Sequence, residues 1–120
     1  MRCATFAALD LMDREGCLAF LVRRLHPGGG CCPHCGVSLH GRQSESFAGG
    51  GRICCNSCSR WFTWRTGTIF HRANLDDRQL YLLLMLTNLR CSIEDISVIC
   101  RLSLDDAFSW QRRINEAARR

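Results

Sequence analysis

At 120 residues the chain is one domain's worth of material by length, and a core of that size gains from an additional staple. Its 47% hydrophobic and 22% charged residues exclude a disordered chain. Its longest apolar run, Leu80–Leu86, excludes a spanning helix, which needs roughly 20 residues. The net charge of +5, carried by sixteen arginines and no lysine, favours a polyanionic partner only mildly, so the placement of those arginines has to decide.

In chain order, Phe6, Leu9 and Met12, then Leu18, Leu21, Val22 and Leu25, recur at helical spacing. Gly16 is expected to break this stretch into two short helices, and Pro27 with Gly28–Gly30 ends it. From Cys31 to Phe70, glycine clusters, cysteine pairs and β-prone runs at Val37–His40 and Arg60–Thr66 predict a hairpin-rich segment. Asn74 or Asp76 is placed to cap a leucine-rich helix running to about Leu89. Ser92 with Asp95 starts Ile93–Cys100, and Ser103 starts Leu104–Ala118. A link of three residues between the last two helices fits a helix-turn-helix, and fits a plain helical hairpin equally well. The expected organisation is therefore a helical segment over 1–27, a cysteine-rich module over 28–72 and a helical region over 73–120.

Ten cysteines are far above the usual share. Met1–Asp13 reads as no export signal, so a reducing, cytoplasmic setting is expected, in which paired cysteines read as metal ligands before disulfides. Cys32-Pro33-His34-Cys35-Gly36 and Cys55-Asn56-Ser57-Cys58 form two CxxC pairs at the separation of a tetrahedral zinc ribbon. Pro33 and Gly36 suit the first turn, because proline fixes φ and glycine reaches φ > 0. Choosing Cys31 or Cys54 instead would give CxxxC spacing, so these two are read as neighbours on the approaching strands. His34, His40 and His71 are weaker substitutes. Cys3, Cys17, Cys91 and Cys100 read as small buried apolar residues. Four thiolates fill the tetrahedron, so the expectation is one structural zinc ion and no enzymatic role. Those thiolates with the dication would lower the net charge to about +3.

These motifs, in order, resemble the N-terminal region of the transposase zinc-ribbon family of bacterial insertion sequences. The resemblance runs through Cys17–Leu21 and Arg24–Gly28, then Cys32–Gly36, Arg52–Cys55, Cys58–Phe62 and Thr66-Gly67-Thr68-Ile69-Phe70. It continues through Leu75, Leu80, the Ser92–Leu102 pattern, Ala107 and Arg113-Ile114. His26, Ser59 and Tyr81 depart from the residues usual in the family. The resemblance implies a small α+β fold: a four-cysteine zinc ribbon built as a β-hairpin or three short strands, flanked by N-terminal helices and a C-terminal helix-turn-helix-like bundle. Family members continue into an RNase-H-like catalytic domain where this chain stops, at Arg120, so DNA binding without strand-transfer chemistry is implied. A bacterial, phage or mobile-element origin goes with it.

Strand alternation from Arg60 places Arg60, Phe62, Trp64 and Thr66 on one face and Trp61, Thr63 and Arg65 on the other. Phe62, Ile69, Phe70 and one tryptophan read as the ribbon's core. Arg52, Arg60, Arg65 and Arg72 are DNA-contact candidates in the ribbon, with Ser109, Arg112 and Arg113 in the last helix. Asp105 and Asp106 at the start of that helix repel phosphate while suiting the helix dipole. The competing expectation is a protein-interaction module, or a transposase remnant, whose Leu80–Leu89 helix or Trp110 face docks a partner or a second copy. Neither a membrane nor a small-molecule substrate is expected.

Overall fold

The computed structural model describes residues 12–119 and shows a small α+β protein. Among these residues are five helices and one two-stranded antiparallel sheet: α1 (Arg14–Leu25), α2 (Gly41–Ala48), β1 (Ile53–Cys54), β2 (Trp61–Phe62), α3 (Asp77–Asn88), α4 (Ile93–Cys100) and α5 (Leu104–Ala118). No helix among them is long and apolar enough to cross a membrane. The chain divides into two compact units, Glu15–Asn74 and a second that carries the residues from Leu75 onward.

In the first unit, α1 runs through Gly16 without a break and buries Cys17, Leu21 and Val22. A glycine in the first turn of a helix costs little, because its neighbours there have few intrahelical bonds to lose. Of the expected first short helix, carrying Phe6, Leu9 and Met12, residues 1–11 lie outside the described residues, and Met12 and Asp13 are not helical. β1 and β2 pair with Ile53 opposite Phe62 and Cys54 opposite Trp61. The expected third strand at Val37–His40 is reduced to a single bridge, Cys31 to Ser38.

The strand expected over Arg60–Thr66 ends at Phe62, because threonine hydroxyls take over the backbone. The amide of Thr63 donates to Thr66 Oγ1 (3.0 Å), Thr68 Oγ1 donates to the Arg65 carbonyl (2.7 Å), and the Phe70 amide donates to Thr68 Oγ1 (3.1 Å). These local bonds knit residues 63–70 into consecutive turns that bury Trp64 and Phe70. Both threonines of the Thr66–Phe70 motif therefore shape the turns, and its last residue, Phe70, is buried beneath them.

Helix α2 was not expected. It packs on β1, and its one buried residue, Phe47, lies edge-on to His26 (centroids 4.9 Å apart) and 6.3 Å from Phe62. Gly30 sits so close to Phe47 that a Cβ there would lie 2.8 Å from the ring. His26 Nε2 donates to the Trp64 carbonyl (2.7 Å), tying the end of α1 to the turns after β2.

In the second unit α3, α4 and α5 pack on one another around Leu80, Leu83, Leu84, Ile96, Cys100, Ala107, Trp110 and Ile114. Asp76 caps α3 in a capping box, its Oδ1 accepting from the amides of Arg78 and Gln79 while Gln79 Oε1 accepts from the Asp76 amide. Ser92 and Ser103 cap α4 and α5. The turn between α4 and α5 holds Arg101 at φ 57°, and the Ser97 carbonyl accepts from Leu102 (2.9 Å).

Candidate metal centre

The two CxxC segments fold into near-identical knuckles. In the first, the Cys32 amide donates to the Val37 carbonyl (2.9 Å) and the Gly36 amide to the Cys32 carbonyl (2.8 Å). In the second, the Cys55 amide donates to Arg60 (2.9 Å) and the Ser59 amide to Cys55 (2.9 Å), at the same offsets. Both turns need a left-handed residue after the second cysteine: Gly36 at φ 82° and Ser59 at φ 65°. Serine carries a Cβ into a region that glycine enters freely, so the second knuckle holds local strain the first does not.

Each knuckle aims its sulfurs inward. Cys32 Sγ lies 3.7 Å from Cys58 Sγ and Cys35 Sγ 3.6 Å from Cys55 Sγ, and all four sulfurs lie within 4.8 Å of one another. Tetrahedral bonds of about 2.3 Å put ligand sulfurs about 3.8 Å apart, so the cluster has the size to hold a metal ion. Cys32 and Cys55 are buried, whereas Cys35 is exposed, so the centre sits at the rim of the unit.

Backbone amides favour charge on all four sulfurs, and burial with the sulfurs' mutual interaction then divides each knuckle into one lowered and one raised thiol. The Cys58 amide (3.5 Å) and, against burial, the Ser57 amide (3.4 Å) donate to Cys55 Sγ and hold its pKa down to about 6. At Cys32 burial pushes the other way, and amides including that of His34 (3.4 Å) outweigh it, so this thiol too is lowered. At Cys35 the Val37 amide lowers the pKa, but burial and the neighbouring sulfurs prevail and raise it to about 11; Cys58 is raised as well. A metal dication removes this conflict by neutralising charge that the sulfurs otherwise impose on each other.

Cys31 and Cys54 stand outside the cluster, at the bridge and in β1, and Cys54 Sγ approaches the Ser59 carbonyl (3.6 Å). His34, His40 and His71 are exposed, and among the described residues none joins the metal-ligating cluster. Cys17 and Cys100 are buried as expected, and burial raises the Cys100 thiol to about 11. Cys91 is only half-buried, and Cys3 lies outside the described residues.

Neither known family models, nor curated proteins, nor solved structures match this chain.

The arginine candidates occupy distinct settings. Arg60 and Arg72 are exposed, and Arg72 adopts φ 62°. The Arg52 guanidinium stacks 4.6 Å from the centre of the Trp61 ring. Arg65 is half-buried; its Nη1 donates to the Ala73 carbonyl (3.0 Å) and its guanidinium lies 5.3 Å from Trp64, so this head group closes the turns after β2. On α5, Ser109 is exposed, Arg112 pairs with Glu116 (3.3 Å), and Arg113 lies over Trp110 (4.8 Å). The two ribbon tryptophans divide: Trp64 is 2% exposed and belongs to the core, whereas Trp61 is 53% exposed. Strand alternation sets Trp64 on the face of Phe62 and Trp61 on the opposite one, and the burial follows that division although the strand stops between them.

Proposed function

We propose that this chain is a zinc-stabilised DNA-binding protein, related to the DNA-binding region of zinc-ribbon transposases and not itself an enzyme. The observation that carries the reading is the four-cysteine cluster beside an acid-free, arginine-bearing loop. Between Glu45 and Asp76 there are four arginines and no aspartate or glutamate. Zinc fits an all-sulfur tetrahedral set of this size, with its preference for thiolate ligands and closed structural sites. A closed set leaves no coordination position for an activated water, which supports a structural ion. The zinc-thiolate centre carries about −2, so these arginines still leave the segment positive.

The ribbon is the primary contact surface in this reading, with α4 and α5 as a helix-turn-helix in support. Two observations set that order. Arg112 is partnered by Glu116, and Asp105 and Asp106 occupy the end of α5 that a recognition helix presents to bases. Fluorescence anisotropy with mixed-sequence duplex at about 50 mM salt tests it, because each phosphate contact contributes nearly one unit to the salt slope. Changing Arg60 and Arg72 to alanine should weaken binding and flatten that slope by about one unit each. Absent binding, or binding insensitive to salt, overturns the proposal.

A second reading, docking of a protein partner or second copy, draws on different residues from those first expected. Trp110, Leu80, Leu83 and Leu84 are committed to the helical unit's core, while Leu104 and Phe108, one turn apart on α5, are about half exposed. Light scattering over a concentration series, with Phe108→Ser as control, tests that reading.

A further inference from the structure

Trp61 is the least accounted-for side chain in the ribbon. It ends up 53% exposed on β2, although Phe62 beside it and Trp64 two residues on are buried to 3% and 2%. A lone exposed apolar residue is ordinary, but this one is equipped. The Arg52 guanidinium lies 4.6 Å from its ring centre, the adjoining Arg60 is exposed, and the surrounding sequence from residue 46 to 75 holds no carboxylate. An aromatic ring with a guanidinium stacked over one face, set among cations, has the chemistry of a base-stacking platform. Stacking on aromatic and arginine planes is how unpaired bases are held, whereas bases inside a duplex keep their faces covered by each other.

The geometry points to Trp61 and Arg52 as a stacking site for an unpaired nucleobase, so that the ribbon prefers single-stranded or locally opened nucleic acid to an intact duplex. This inference rests on the nucleic-acid reading above and adds the strand state and the residues that sense it. Arg60 would contact the flanking phosphate, leaving the two stacked groups to engage the base. Because Trp61 is half exposed and its β-pairing uses only backbone atoms, replacing it should leave the fold and the metal content intact.

The test measures binding of the zinc-loaded full chain to an oligo-dT, the matching oligo-U and a blunt duplex at equal low salt. Wild type should bind the single strands more tightly than the duplex, with quenching of tryptophan emission. Trp61→Ala should weaken single-strand binding by about tenfold with little change for duplex, and Trp61→Phe should restore most of it. Comparison of oligo-dT with oligo-U separates DNA from RNA as the source of the base. If duplex binds at least as well as single strands, or if Trp61→Ala leaves single-strand binding unchanged, the stacking site is refuted while salt-dependent DNA binding stands. If no nucleic acid binds, both readings fall. Zinc stoichiometry and near-UV circular dichroism confirm that each variant is folded.

Discussion

Chelating the metal should unfold residues 15–74 and leave the three C-terminal helices standing. Structural zinc contributes an apparent binding energy of about 10–16 kcal/mol. A unit of 60 residues has a typical net stability of roughly 3–9 kcal/mol, so the loss exceeds what the remaining core offsets. The helices α3, α4 and α5 contain no member of the cysteine cluster and have their own core, from Leu80 to Ile114. They supply 35 of the 55 helical residues described. Treatment with a strong chelator should therefore remove about a third of the far-UV helical signal. Emission from Trp64 should shift to the red, and Trp110 should keep its buried emission. Single-tryptophan variants assign the two signals. Unchanged Trp64 emission after verified metal loss would refute the claim that the metal holds this unit. Complete loss of helix would refute the independence of the second unit.

Other outcomes follow from individual residues. Ser59→Gly should stabilise the zinc-loaded protein by about 0.5–1 kcal/mol by relieving its positive φ, whereas Gly36→Ala should destabilise it by about 1 kcal/mol or more, both read by thermal unfolding. Gly30→Ala forces a methyl against the buried Phe47 ring and should cost about 1–3 kcal/mol, with Phe47→Leu partly relieving it in the double variant. Asp76→Ala should cost about 1 kcal/mol through the lost cap of α3. Burial opposes ionisation of Asp76, but the amides of Gln79 and Arg78 and the Arg78 guanidinium outweigh it and hold its carboxyl below its ordinary value of 3.8. A lowered carboxyl pKa stabilises the fold above the unfolded-state value, so this contribution is complete at neutral pH. It fades as pH falls below about 4 and through the lower folded-state pKa, and Asp76→Asn should abolish that part of the acid dependence in pH-resolved denaturant titrations.

The sequence by itself determined which four cysteines come together, since two CxxC turns of this spacing have few ways to present their sulfurs other than to one point. It also determined the caps at Ser92 and Ser103 and the limits of α4 and α5, and narrowed the cap of α3 to Asn74 or Asp76, because capping is local chemistry between residues three apart. Tertiary structure decided the rest. Helix α2 has one buried apolar residue, Phe47, so its sequence shows no apolar period, and packing of that ring against Gly30 and His26 gives the helix its place. Alternation along the chain puts Trp64 on the face of Phe62 and Trp61 on the other, but it is hydroxyl-bonded turns after Phe62, not a continuing strand, that carry Trp64 into the core. Arg52, Arg60 and Arg65 look equivalent along the chain, yet in the fold one stacks on Trp61, one stays exposed and one clips the Ala73 carbonyl. Local spacing fixes what a side chain can bond to nearby, while burial and long-range packing depend on distant parts of the chain that no local pattern records.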